Sequence, residues 1–345
     1  MSHLLAALLT SFTLTALLAV PFINLLYHLK FQRQAEVHVL SPIFTKLHAW
    51  KAGTPNSGGV LIILVILFLS WVFGERVEDL SRSSITPALL ALILYGTLGL
   101  YDDIKKYFGY HKTKVWGMRL RYKLMLQIIF GVMLGWMVFN IVSVGGVVSL
   151  VVPFLGSFLV GPEFYIPFAA LTIVATANAF NITDGVDGLS SGLLIMTLFS
   201  FLAISLTGAG LTGGVFLSNS MQLLLSIWIG AMLAFLYYNI HPARVWMGDS
   251  GALAFGATMG VVALLLGIPL LLPILGGVYV IETASSLLQW YSMKFMTHKL
   301  FLIAPIHHHF EALGWPETKV TMRFWIAGAL FSLVGVYFYY LLLGL

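Results

Sequence analysis

Ten apolar runs, most of them about as long as a bilayer is thick, constrain this chain more than any other feature. They cover roughly residues 4–27, 57–74, 85–101, 124–144, 166–182, 189–207, 221–240, 251–268, 270–293 and 324–344. About 20 apolar residues in a helix cross the hydrocarbon core. The reading is an all-α polytopic membrane protein with about ten transmembrane helices, organised as a single domain over residues 1–345. The fifth and eighth runs are short, and a turn near Pro269 separates the eighth from the ninth. Composition excludes the soluble classes: 9% of residues are charged and 59% hydrophobic, where a soluble domain carries about 25% charged residues. The first run is too long for a signal-peptide core and reads as a retained span. With no cysteine, disulfides and thiolate metal sites are excluded.

Charge placement gives the orientation. With the N-terminus outside, 16 of the 18 Lys and Arg fall at inner loops and span ends, and only Arg76 and Arg82 lie outside. That is the positive-inside pattern, and with ten spans it also puts the C-terminus outside. The aspartates share the bias. Asp102, Asp103, Asp184, Asp187 and Asp249 sit at inner span ends in three separate loops, and only Asp79 is outside. Positive-inside bias alone gathers only the basic residues, so the aspartates point to a cytoplasm-facing site built from several loops. The outer connections are bland, and the Gly- and Val-rich stretch 145–163 has the makings of a surface β-hairpin.

Five stretches carry candidate chemistry. The Lys51 to Gly59 segment has glycines that admit a ligand close to the backbone, with a lysine as a point charge for phosphate; read alone, it is more readily an ordinary loop before the second run. Asp102-Asp103, followed by Lys105 and Lys106, ends the third run. Carboxylates there hold a divalent ion or act as a base. Neighbouring helix positions point about 100° apart, so the two aspartates are expected to have unequal roles. In Asn178 to Leu189, five polar side chains crowd a span end, more than a turn requires. Asn239 and Trp246 to Gly251 add an aromatic and Asp249, which reads equally as a metal ligand or a helix cap. His307, His308 and His309 cannot all point one way on a helix, which argues against a three-histidine metal site and for contacts to phosphate or sugar. Glu282 inside the ninth run is an intramembrane carboxylate, a functional candidate by default.

Taken in order, these motifs resemble the phospho-N-acetylmuramoyl-pentapeptide transferase family, within the polyprenyl-phosphate N-acetylhexosamine-1-phosphate transferases. The Pro305 to Glu311 run, then Gly314-Trp315-Pro316-Glu317 and Arg323-Phe324-Trp325, looks like the pentapeptide branch. The resemblance implies ten membrane helices and a cytoplasmic active site in the bacterial inner membrane. It implies that UDP-N-acetylmuramoyl-pentapeptide and undecaprenyl phosphate give the lipid-linked diphosphate product and UMP with Mg²⁺. It also implies homodimerisation and no nucleic-acid partner.

By the same resemblance, Asp249 is a Mg²⁺ ligand, and Asp102 and Asp103 share between them a metal-binding and a base or orienting role. Lys51, Asn178, Asn181, Asp184, Gly185, Asp187 and Asn239 would line the uridine and ribose region. Trp246, where the family usually has Phe, would stack on uracil. Lys106 and Lys123 would meet phosphate, and His307, His308 and His309 the sugar and phosphate side. The lipid acceptor implies a groove open to the bilayer, and Pro273 with Gly276-Gly277 bends the ninth run where one is needed. The chain departs from the family at Asn56-Ser57, where Thr-Met is usual, and around Lys114 to Arg121, which is about two residues longer. The competing readings are a related N-acetylglucosamine-1-phosphate transferase, disfavoured by the loop from Leu300 to Arg323, and a secondary transporter. The one-sided aspartates and the lack of an internal repeat oppose the transporter.

Overall fold

The structure is a computed structural model that describes residues 2–32, 51–74, 85–109, 117–153, 155–208, 219–296 and 298–344. Arg33, Lys46, Arg76, Asp79, Arg82, Lys112 and Lys114, with the outer connections 75–84 and 209–218, lie outside the described residues. The apolar runs form helices because a backbone in lipid must satisfy its own hydrogen bonds. They are α1 (Ser2–His28), α2 (Gly59–Gly74), α3 (Thr86–Ile104), α4 (Leu120–Val142), α5 (Pro162–Thr183), α6 (Leu189–Leu206), α7 (Asn219–Asn239), α8 (Gly248–Leu265), α9 (Leu272–Leu275), α10 (Gly277–Tyr291), α11 (Ile306–Ala312) and α12 (Glu317–Leu343). A π-helical turn, Lys105–Gly109, extends α3. The stretch between α4 and α5 does form a hairpin, with β1 (Val148–Val152) antiparallel to β2 (Gly156–Val160).

Among the described residues, eight helices are long and apolar enough to cross a membrane. The ten apolar runs lie on those eight helices, the shorter 16-residue α2, and a broken ninth element. That element splits at Gly276, where α9 ends and α10 begins, beside Pro273. The fifth run is not short: Pro162 takes the first helical turn, where its missing N–H costs nothing, and α5 reaches 22 residues. In the same way α12 starts at Glu317, seven residues before the tenth run, because polar residues continue a helix beyond lipid without penalty.

The middle of the bundle is α8, whose apolar window is 89% buried, against 28% for α1 and 22% for α12. Helices in lipid gain little from the hydrophobic effect and associate through close packing at small residues. Gly251, Gly256 and Gly260 of α8 serve this purpose. A β-carbon on Gly256 would strike the backbone of Thr176 and Ala177 on α5. On α3, a β-carbon at Gly99 would overlap the Asp249 carbonyl. This near contact sets the first turn of α8 against the end of α3. It brings Asp249 to the Asp102-Asp103 pair.

Candidate active site

Asp102 and Asp103 are adjacent in sequence and face different partners, as helical spacing demands. Both oxygens of Asp103 are occupied. One accepts from the Asp249 N–H at 3.1 Å; the other accepts from Ser57 Oγ at 2.8 Å and the Ser250 N–H at 3.1 Å. The first N–H groups of a helix have no partner within it. Met247, before α8, offers no side-chain cap. Asp103 is therefore the N-terminal cap of α8, supplied from a neighbouring helix.

Asp102 turns the other way. It accepts from the Met118 N–H at 2.5 Å and Lys123 Nζ at 2.9 Å, with Lys106 Nζ at 3.5 Å. The same two lysines reach Asp249, at 2.5 Å for Lys123 and 2.9 Å for Lys106. Asn181 Nδ2 donates to the other Asp249 oxygen at 3.2 Å. Two carboxylates and two ammonium groups thus make a compact, charge-balanced cluster from α3, its π-helical turn, α4 and α8. The donors around Asp102 and Asp249 are hard oxygens, which suit a small divalent ion such as Mg²⁺. Asp103 spends three of its roughly four lone pairs on protein donors, one on Oδ1 and two on Oδ2.

A second cluster gathers around Lys51, which is buried. Its Nζ lies 2.6 Å from Glu317 and 3.2 Å from Asp187, and 4.7 Å from the centre of the Trp246 ring. Asp187 also accepts from the Ala243 N–H at 3.0 Å and stands 3.2 Å from His241 Nδ1. Ligand atoms of Asp187, His241 and Glu317 all lie within 4.8 Å of one another, a spacing that a metal ion accepts. The Lys51 ammonium already sits against both carboxylates.

The histidines form a third group. His307 Nδ1 is 2.9 Å from Glu282, and His308 Nδ1 is 2.6 Å from Glu311. Their rings lie 4.0 Å apart. Both face Gly185: an added β-carbon there would overlap His307 Nε2 and lie 3.2 Å from His308 Nε2. The Glu311 carboxyl is pushed up to about 7, chiefly by burial, with Glu317 adding to the rise and Lys51 and His307 opposing it.

The expected residues therefore fall into three adjoining groups rather than one. Asp102, Asp249, Lys106, Lys123 and Asn181 form the first; Lys51, Asp187 and Trp246 the second; Gly185, His307 and His308 the third. Asp184 accepts from Ser190. Asn178 is tied to Gln127 at 2.7 Å, and Asn239 braces Ser191 and the Val245 carbonyl inside the protein. His309 turns away and accepts from the Leu302 N–H at 3.1 Å. Sequence reasoning gave no role to Ser57, Gln127, His241, Glu311 or Glu317. Gln127, a fully buried amide within a span, carried a signal, since such residues are costly in lipid. The partner of Glu282, absent from its own neighbourhood in sequence, is His307.

Residues 85–267 match the family model for glycosyl transferase family 4. Over nearly its whole length the chain is also similar to enzymes named phospho-N-acetylmuramoyl-pentapeptide-transferase. It is 38% identical to that of Methylacidiphilum infernorum across 96% of this chain and 91% of the relative. It is 37% identical to that of Caldanaerobacter subterraneus subsp. tengcongensis across 96% and 97%, and 35% identical to that of Leptospira biflexa across 94% and 90%.

Proposed function

The chain belongs to glycosyl transferase family 4 and, within it, to the phospho-N-acetylmuramoyl-pentapeptide-transferases, and from that premise we propose how its three residue groups divide the work. The enzyme moves phospho-N-acetylmuramoyl-pentapeptide from UDP to undecaprenyl phosphate. A lipid-phosphate oxygen attacks the phosphorus that bears the sugar, the bond to the second phosphate breaks, and UMP leaves. Such transfer rests mainly on positioning and charge neutralisation.

The observation that carries this reading is the Asp102–Lys123–Asp249–Lys106 cluster. Asp249 and Asp102, with Asn181 beside them, would hold Mg²⁺; Asp103 fixes the helix end that presents Asp249. A bound Mg²⁺ would neutralise diphosphate charge and stabilise the leaving UMP. Lys106 and Lys123 bind the phosphates and draw together the anionic lipid head and the nucleotide diphosphate. Lys51, Asp187 and Trp246 hold the uridine, with Trp246 as its stacking face. His307 and His308 approach the sugar and phosphate side. The acceptor's prenyl chain lies in an apolar groove of about 390 Å³ between α5, α8 and the broken α9–α10 element, lined by Phe168, Leu171, Met259 and Leu287. Tyr279 lines it too, and its hydroxyl donates to the carbonyl of Ser190, which bonds Asp184, so the groove adjoins the polar site. The site faces the cytoplasm from a bacterial inner membrane, which places both clusters among the basic span ends.

The test is UMP release by purified protein in detergent, given undecaprenyl phosphate, Mg²⁺ and either UDP-N-acetylmuramoyl-pentapeptide or UDP-N-acetylglucosamine. Release with the first donor is expected; release with the second alone overturns the proposal.

A further inference from the structure

Two carboxylate–imidazole pairs converge on the Asp184-Gly185 turn, and the more deeply buried one is not explained by stability. His307 and Glu282 are both wholly inaccessible to solvent. Glu282 Oε2 meets His307 Nδ1 at 2.9 Å. Glu282 Oε1 and His307 Nε2 have no hydrogen-bond partner among the described residues. A half-satisfied buried pair is a poor stabiliser, since apolar side chains of similar size fill such a space as well or better. The unpaired Nε2 therefore calls for a partner that the protein lacks. It points at Gly185, the one residue type there that leaves room for it.

We infer that Glu282 is a positioning residue for the transfer reaction, receiving the His307 Nδ1–H and aiming Nε2 at a polar group of the bound nucleotide-sugar. The hydrogen bond at one ring nitrogen decides the proton placement at the other. A carboxylate behind an imidazole also fixes the ring plane, as it does for metal-bound histidines. Here α10 holds α11 at two points. Glu282 takes His307, and one turn on, Ser285 Oγ accepts from the Ile306 N–H at 3.0 Å. The bend at Gly276 sets the start of α10, and with it the placement of Glu282 under His307. The inference rests on the proposal that His307 approaches substrate.

The experiment uses full-length protein in detergent, with UDP-N-acetylmuramoyl-pentapeptide and undecaprenyl phosphate as substrates. Three variants are compared: Glu282→Gln, Glu282→Asp and His307→Ala. Glu282→Gln is expected to lower kcat by about 10–100-fold, the usual cost of losing a supporting partner, with the KM for the nucleotide-sugar and the melting temperature unchanged. The ¹⁵N imidazole signals of His307 should move, and Glu282→Asp should restore part of kcat. Wild-type kcat in Glu282→Gln, or a loss that tracks unfolding while the ¹⁵N signals stay in place, overturns the positioning role. Full activity in His307→Ala overturns the placement of His307 at substrate, a separate failure from an inactive His307→Ala beside a fully active Glu282→Gln.

Discussion

Asp103 spends its carboxylate on a serine hydroxyl and two backbone N–H groups of α8, whereas Asp102 faces two lysines. Substitution should therefore separate them. Asp103→Ala strands buried N–H donors, at about 1–3 kcal/mol each, and should lower the melting temperature as well as activity. Asp249→Asn keeps the packing and removes charge, so activity should fall by about 10²-fold or more, the scale of a lost electrostatic contact at a reacting centre. Its melting temperature should fall less than that of Asp103→Ala, because Asp102 still pairs with both lysines. A melting curve and a UMP-release assay on both variants distinguish the two roles. Glu311 offers a pH test. Its carboxyl is raised to about 7 by burial, so the folded protein holds that proton more tightly than the unfolded chain does. Its stabilising contribution is complete below the ordinary carboxyl value of 4.5 and is lost as the pH rises through about 7. Glu311→Gln should flatten that part of the stability profile, read as melting temperature against pH. At this scale the sequence was only half legible. Helical spacing foretold that Asp102 and Asp103 diverge. Nothing local could show that Asp103 caps a helix 145 residues away, or that Glu317 pairs with Lys51.

The site exists because particular elements approach unusually closely. Gly99 lets the end of α3 touch the first turn of α8, and Gly59 of α2 meets Gly251 of the same helix. A leucine at Gly99 would drive the helices apart exactly where Asp249 must reach Lys106 and Lys123. Gly99→Leu should abolish activity and lower the melting temperature, while Gly145→Ala, in open space at a turn whose positive φ of 61° strains an alanine, should cost a little stability and leave activity unchanged in the same assay. Element types were legible because lipid leaves a long apolar run no alternative to a helix. Their ends were less so: α5 and α12 begin earlier than the apolar runs do, since the helix continues into polar residues at Pro162 and Glu317. The break at Gly276 was legible from Pro273 and the paired glycines, because both weaken a helix for reasons written in the residue itself.

Across the whole molecule, two kinds of surface have to meet at one point. The donor is charged and comes from water; the acceptor carries a long prenyl chain and comes from lipid. In the proposed function the polar clusters around Asp249 and Lys51 would serve the first, and the groove between α5, α8 and α9–α10 the second. They adjoin at Tyr279, which lines the groove while its hydroxyl donates to the Ser190 carbonyl at 3.2 Å, and Ser190 in turn donates to Asp184. If the groove holds the acceptor's chain, filling it should harm that substrate alone. Ala175 lines the groove on α5 and is away from the charged clusters. Ala175→Trp should raise the KM for undecaprenyl phosphate while the KM for UDP-N-acetylmuramoyl-pentapeptide stays at the wild-type value. The effect should shrink with a short-chain polyprenyl phosphate, whose tail leaves part of the groove empty. Equal loss with long and short acceptors, at an unchanged melting temperature, would place the prenyl chain elsewhere on the protein and leave the groove to bulk lipid.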